Sequence, residues 1–462
     1  MILLSHERAS EPTVGIHEAT SFEPRWQLYR AMLLVVAALA TYLYLPLLSG
    51  GRLLVPSFPT VAMMPLLYLT VRRNISTADK LFLPKVVFVL LLSMAFSPGY
   101  AYLTEKFLSL VQFSLAIVVT VMTVRLMQQM RREVVERSLL VVWCLLLAGS
   151  VLEVAGLTRE ISDAFRARVY EEMYTLYDGD LRDISFVGWV RPKVFSTEPS
   201  CVTKMFIVAV NAWLLIRVTK IKAVTAAAAT GAMFVIMGSP MYVVSVAMTL
   251  AVLVWNPLSS IQTRVATVLA ALIVSVLFVA TFGDTAFSTL ETRIQRIGTT
   301  EPDGQLEIRS ENLRAVIPWV SLVNNLSRWP IFGVGIGGKE VALEESGLDL
   351  LSYKRVMGAN ASAEVWSYLG LLGGTLFIWL LLKQASHTGV RRLGLMLILV
   401  FLFSQLMGGL DSFRYWGHIT LLWGALAVAD SNVNGAANPP RRMGSRASSI
   451  DERAFGHQAS GI

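Results

Sequence analysis

The sequence predicts an all-α integral membrane protein with about twelve transmembrane helices and two large loops on one side of the membrane. Three observations carry that reading. Hydrophobic residues make up 54% of the 462-residue chain and charged residues only 16%, and the mean hydropathy is +0.57, outside the usual range of soluble domains. Twelve apolar runs fall at or just below the roughly 20 residues that a helix needs to cross a hydrocarbon core about 30 Å thick. Only two long polar segments, residues 158–199 and 282–362, interrupt them.

Residues 1–27 are polar and mixed in charge, unlike the basic start of a signal peptide, so the first apolar run is expected to stay as a span. Five spans then fill residues 28–157: Leu28–Leu48, Leu53–Val71, Leu81–Ser97, Phe107–Val124 and Leu139–Leu157. Four more fill 200–281, namely Cys201–Ile216, Ala223–Gly238, Met241–Trp255 and Val265–Thr281. Residues 363–430 hold the last three, Ala363–Leu382, Leu393–Leu406 and Phe413–Ala429. All are read as helices because a lipid-facing backbone must satisfy its own N–H and C=O groups. Residues 431–462, rich in Gly, Ala, Ser, Pro and Arg, read as a disordered tail.

Orientation follows from the basic residues beside the short connections. Arg72, Arg73, Lys80 and Lys85, then Arg125, Arg131, Arg132 and Arg137, then Arg217, Lys220 and Lys222 alternate with turns that offer little beyond Arg52, Lys106 and Arg414. Both termini are therefore expected in the cytoplasm and both long loops on the far, periplasmic side. The net charge of +8 is a topology signal of this kind, and no nucleic-acid partner is expected. Cys144 and Cys201 lie in or at the edge of spans, so no disulfide framework is expected in the loops.

Coupled transport is the first alternative, but it usually places ionisable groups inside the membrane. Glu153 and Lys204 lie near the outer ends of their helices, and Asp411 with Arg414 lies in an outer turn, where interfacial snorkelling accounts for such charges. No inverted repeat is evident, and rocking-bundle transport does not need a loop of about 80 residues. The chemistry is expected in the loops.

In the first loop, Arg191-Pro192-Lys193-Val194-Phe195-Ser196-Thr197-Glu198-Pro199-Ser200 runs into the sixth span. Pro199 turns Glu198 away from helix and is itself well placed at a first helical position. A helix start beside Arg191, Lys193 and, one turn in, Lys204 makes a positive pocket for an anion. Glu198 is the one carboxylate there, a candidate general base or an ion-pair partner for those cations. Asp178-Gly179-Asp180 reads as a solvated acidic turn rather than a metal-binding pair, and no metal or cofactor is expected.

In the second loop, Val316, Trp319, Val320, Leu322 and Val323 give an amphipathic helix suited to the membrane surface. Arg309 and Arg314 precede it or lie in its first turns, an end that the macrodipole disfavours for cations, so these guanidinium groups point to an anion such as a diphosphate, or else line a solvated face. Arg328-Trp329-Pro330 follows, and then Gly333-x-Gly335-x-x-Gly338. That glycine pattern matches a dinucleotide fingerprint but lacks the strand-turn-helix context, so it reads as a turn that lets backbone approach a ligand or a neighbouring helix. Asn360-Ala361-Ser362 fits a glycosylation sequon, too common a pattern to carry weight.

From Thr158 to Leu382 the chain resembles the O-antigen polymerase and ligase group of bacterial inner-membrane glycosyltransferases. The resemblance rests on the two large outer loops, on Phe195-Ser196-Thr197-Glu198-Pro199-Ser200 entering the sixth span, on arginines followed by Trp319 and Pro330-x-x-Gly333-x-Gly335, and on Leu369-Gly370-Leu371-Leu372-Gly373 after the second loop. Two departures matter. Ligases of the group carry a histidine just before that last helix, where this chain reads Gly358-Ala359-Asn360-Ala361, and neither loop contains a histidine. The Ser-Arg usual between the seventh and eighth spans is Gly238-Ser239-Pro240 here.

The resemblance implies a polymerase that moves a glycan from undecaprenyl diphosphate onto the next lipid-linked repeat unit, with a ligase or a non-catalytic flippase or exporter as alternatives. It implies Arg314, Arg309 and Arg191 as diphosphate clamps and Glu198 as the base. Lys193, Lys204, Arg328, Gly333 and Gly335 are implied around the substrate. A chain-length regulator and a flippase are the implied partners, besides membrane lipid.

Overall fold

The computed structural model describes residues 24–49, 52–55, 57–170, 179–239, 241–255, 262, 265, 317–338, 341–342 and 360–437. It is a membrane-embedded helical bundle with one small hairpin. Among the described residues six helices are long and apolar enough to cross a membrane. They include α1 (Pro24–Leu43), the helix Tyr100–Gln128, whose α part is α5 (Leu103–Gln128), and α6 (Arg132–Val154). The others are α9 (Pro199–Ile216), α10 (Lys220–Met237) and α13 (Ala361–His387). Two shorter apolar helices, α11 (Tyr242–Val254) and α14 (Leu393–Ser404), lie with them. The last described helix, α15 (Phe413–Ala437), is buried along nearly its whole described face and packs most extensively on α5 and α9.

The second apolar run is not one helix. Leu47–Ser49 (β1) and Arg52–Val55 (β2) form an antiparallel hairpin, followed by α2 (Phe58–Ala62) and α3 (Met64–Val71). Pro59 and Pro65 sit in the first turns of these helices, where a missing N–H does no harm, and each makes the chain restart rather than continue. The third run forms α4 (Thr77–Ala95), which begins before the apolar stretch because Ser76 and Asp79 close a reciprocal capping box. The ninth run beyond Val265 and most of the second polar segment, with Arg309 and Arg314, lie outside the described residues.

The first polar segment carries two amphipathic helices, α7 (Arg159–Tyr170) and α8 (Asp180–Val187). In the second, the expected amphipathic helix is α12 (Ile317–Arg328). It buries Ile317, Pro318, Ser321, Leu322 and Asn325 and leaves Val323 exposed, because Asn325 turns inward to donate to Ser367 Oγ at 2.8 Å.

The glycine turn resolves in favour of a neighbouring helix. Gly370 breaks α13 with φ 66° and ψ −174°, a conformation open essentially to glycine alone. The gap is filled by residues 330–335: Val334 and Gly335 donate to the carbonyls of Ser367 and Tyr368 at 3.0 and 2.9 Å, while Leu371 and Leu372 donate to Pro330 and Ile331 at 2.7 and 3.1 Å. Backbone groups freed inside a membrane bundle are thus paired again within the protein, as the absence of water requires. Gly333, at φ 65°, approaches so closely that a Cβ there would lie 2.4 Å from the Ser367 oxygen.

At the opposite end of α4, Arg125 donates from Nε and Nη2 to the two oxygens of Asp79, both at 2.9 Å, and Gln384 Nε2 donates to Asp79 Oδ1 at 2.5 Å. One buried carboxylate thereby joins α4, α5 and α13.

Candidate functional site

The start of α9, the last residues of α1 and α6, and the turn before α15 meet at one end of the bundle. Three non-glycine residues among those described have positive φ, and all three lie here: Tyr44 at 53°, Val194 at 43° and Phe195 at 64°. A β-branched residue in this region costs energy and persists only where its surroundings over-determine it.

The surroundings of Val194 do so. Glu153, buried at the end of α6, accepts from the backbone N–H groups of Lys193 and Val194 at 2.9 and 2.7 Å. Tyr42, on α1, donates to the Val194 carbonyl at 2.8 Å. From α7, Ser162 Oγ accepts from Phe195 N at 3.0 Å, and the buried Arg166 donates to the carbonyls of Ser196 and Thr197 at 2.8 and 3.1 Å. Gly149 leaves room for the turn, since a Cβ there would meet Val194 Cγ1 at 2.7 Å. Three helices therefore hold residues 193–197 rigidly and fix where the chain enters α9.

The product of that rigidity is the placement of Glu198. It is the N-cap residue of α9, in extended conformation with Pro199 in the first turn, as its sequence predicts. Its side chain is partly open, 38% exposed, and accepts from Ser200 Oγ. Lys204, six residues along and buried, lies 3.8 Å away from the carboxylate.

Facing α9 across the seam, Arg414 enters from the first turn of α15. Its Nη1 donates to Cys201 Sγ at 3.0 Å, and its guanidinium lies 4.8 Å from the centre of the Tyr44 ring. The turn that carries it is held as the first one is. Glu364, buried at the start of α13, accepts from Gly409 and Leu410 N–H groups at 2.8 and 2.7 Å. Asp411 accepts from Ser109 Oγ at 2.8 Å. His418, one turn below Arg414, contacts the Arg414 carbonyl through Nδ1. Lys204 and Glu198 are both within electrostatic reach of this part of α15.

Of the residues singled out from sequence, Glu198 and Lys204 come together here. Arg191 and Lys193 flank the same turn but face acidic partners: Arg191 pairs with Asp183 of α8 at 2.7 Å, and the buried Lys193 pairs with Asp180 at 3.0 Å and Asp163 at 3.5 Å. Asp180 also meets Arg159 at 3.1 Å, so the acidic turn docks α8 rather than standing free in solvent. Arg328 is exposed at the end of α12. Gly333 and Gly335 close on α13 and, at Gly335, on Ser97 and Lys106. Arg309 and Arg314 lie outside the described residues. Asn360 is buried and caps α13, accepting from Ala363 N at 3.2 Å, which removes it from glycosylation as a surface site.

Sequence reasoning missed Arg414, which it assigned to interfacial snorkelling, and Glu153, which it treated alike. The partner of Arg414 is 213 residues away in the chain, so no local pattern marks it. A signal for Glu153 did exist, since a lone carboxylate at the apolar end of a span needs donors, but the donors it finds, Lys193 and Val194, lie at the far end of the polar segment that follows.

No known family model matches the chain, and no curated protein is significantly similar to it in sequence.

Proposed function

We propose that this protein is a polymerase of lipid-linked oligosaccharide repeat units: a glycosyltransferase of the bacterial inner membrane, with both termini in the cytoplasm and the Glu198 site at the periplasmic face. The observation that carries the reading is the rigid turn that presents Glu198, with Lys204 and Arg414 beside it, at the start of a helix whose membrane-length window is 94% buried. Such a site joins one carboxylate to concentrated positive charge at the end of an apolar bundle. Transfer from a lipid diphosphate asks for those two elements, a base for the acceptor hydroxyl and cations where the leaving charge develops.

In the proposed reaction an acceptor sugar hydroxyl attacks C1 of the sugar attached to undecaprenyl diphosphate. The C1–O bond breaks, its electron pair leaves with the diphosphate, and the hydroxyl proton passes to Glu198. The ammonium of Lys204, 3.8 Å from the Glu198 carboxylate, orients it. Arg309 and Arg314 of the second polar segment are proposed to complete the clamp. The twelve-span layout, a chain-length regulator and a flippase as partners, and a product that is O-antigen, capsule or exopolysaccharide belong to the same reading.

The test is the length of lipid-linked glycan in a strain lacking the gene. Single repeat units that return to long chains with the wild-type gene, but not with the Glu198→Gln or Arg314→Ala gene, support polymerisation. Long lipid-linked chains persisting in the deletion turn the reading toward ligation, and repeat units trapped on the cytoplasmic leaflet turn it toward flipping.

A further inference from the structure

Arg414 differs from the other arginines of the described structure in having two shielded nitrogens without a hydrogen-bond partner, where Arg30 and Arg132 each have one. Its Nε and Nη2 are shielded from solvent and meet no hydrogen-bond acceptor, and its third nitrogen meets only the thiol of Cys201. Among the described residues no carboxylate lies within ion-pair distance of it, and Glu198, the acid on the facing helix, is engaged by Lys204. By contrast Arg125, Arg166, Arg191 and Arg392 each reach a carboxylate at 2.7–2.9 Å. A guanidinium held in a membrane-embedded bundle on an aromatic ring and a thiol is under-compensated, because cation–π and thiol contacts replace only part of its lost hydration. The fork is also pre-organised: the Arg414 backbone sits in a turn tied down by Glu364, and the Tyr44 ring below it is fixed by the Gln112 amide, which donates to its hydroxyl at 3.2 Å.

We propose that Arg414, with Lys204 across the α9–α15 seam, forms an anion site for a lipid-borne diphosphate, and that this site rather than the loop arginines seats the diphosphate. Two idle parallel donors on a planar fork match two oxygens of a phosphate group, a geometry in which lysine is a poor substitute. Glu198 then stands beside the seated group from the α9 side, with Cys201 between it and Arg414. The choice of a lipid diphosphate as occupant rests on the glycan-transfer reading, whereas the anion site itself does not.

The experiment is equilibrium binding of farnesyl diphosphate and of inorganic diphosphate to the full-length protein in lipid nanodiscs. The wild type is expected to bind farnesyl diphosphate, with affinity reduced about 10- to 100-fold in Arg414→Gln, the range that follows from losing charged hydrogen bonds. Arg414→Lys, which keeps the charge and protects the fold, is expected to lose several-fold, and Arg391→Gln at the far end of the bundle none. A lone inorganic diphosphate that binds equally well, with the same dependence on Arg414, makes the occupant a free anion and overturns the lipid assignment. Farnesyl diphosphate that binds a well-folded Arg414→Lys or Arg414→Gln protein as tightly as wild type, or does not bind the wild type, overturns the site. Because this readout involves no sugar, Arg414-dependent binding alongside glycan lengths unaffected by Glu198→Gln would retain the site and discard the transferase reading. Loss of polymer in Glu198→Gln with Arg414-independent binding would do the reverse.

Discussion

Glu153 and Glu364 do equivalent work at the two turns that face each other across the α9–α15 seam, each accepting two or more backbone N–H groups. Removing the acceptor leaves buried donors unpaired, at about 1–3 kcal/mol each. Glu153→Ala is therefore expected to lower the melting temperature in detergent and to open residues 193–198 to limited proteolysis, while Glu153→Gln, which keeps one acceptor, falls between. An Ala variant that melts and cleaves like wild type would mean that the turn is held without Glu153. At this scale the sequence was legible where neighbours in the chain decide the outcome: Pro199 placed the start of α9, with Glu198 as its cap and Lys204 six residues on. It was opaque where the deciding contact is distant. Arg191 and Lys193 read as open cations, yet both face carboxylates of α7 and α8, and that pairing depends on how two amphipathic helices dock.

Two elements make predictions of their own. The break in α13 is fitted to residues 330–335, and a Cβ at Gly370 would lie 2.4 Å from the Ile331 oxygen, in a backbone conformation that a side chain rarely adopts. Gly370→Ala is expected to cost about 3 kcal/mol or more and to abolish a monodisperse protein, whereas Gly394→Ala, in open space on α14, leaves the melting temperature near wild type. The start of α4 is sensitive to acid. Burial pushes the Asp79 carboxyl up, but hydrogen bonds from Arg125 and Ser76 outweigh it and hold the group below its ordinary value. A depressed carboxyl contributes stability that is fully present above its unfolded value of about 3.9 and is lost as pH falls below that toward the folded value. The difference in melting temperature between wild type and Asp79→Asn should thus be constant near neutral pH and shrink below about pH 4; a difference that persists unchanged there would separate Asp79 from the acid response. The capping box that starts α4 is a local four-residue pattern and is readable in sequence. The α13 break is not, because a glycine in an apolar run that also holds Gly373 and Gly374 looks like ordinary small-residue packing until the segment that fills the gap is known.

For the molecule as a whole, the alternation of apolar and polar stretches announced a membrane bundle because the bilayer imposes that period on any chain that crosses it. It misjudged the second run, where hydropathy remained high while Pro59 and Pro65 cut the helix into short pieces. Topology is testable directly: Leu181 and Ile221 are exposed at opposite ends of the bundle. In a Cys144→Ser background, Leu181→Cys should react with a membrane-impermeant maleimide applied from the periplasm and Ile221→Cys should not; the opposite pattern would invert the proposed orientation. The central claim is that the Glu198 end of the bundle joins lipid-linked sugars. Its most direct test is chain growth by the purified protein in vesicles supplied only with lipid-linked repeat units. The account predicts a ladder of longer lipid-linked glycans with wild type and none with Glu198→Gln, whereas a ladder of equal length from the variant, or no growth from wild type, would contradict it.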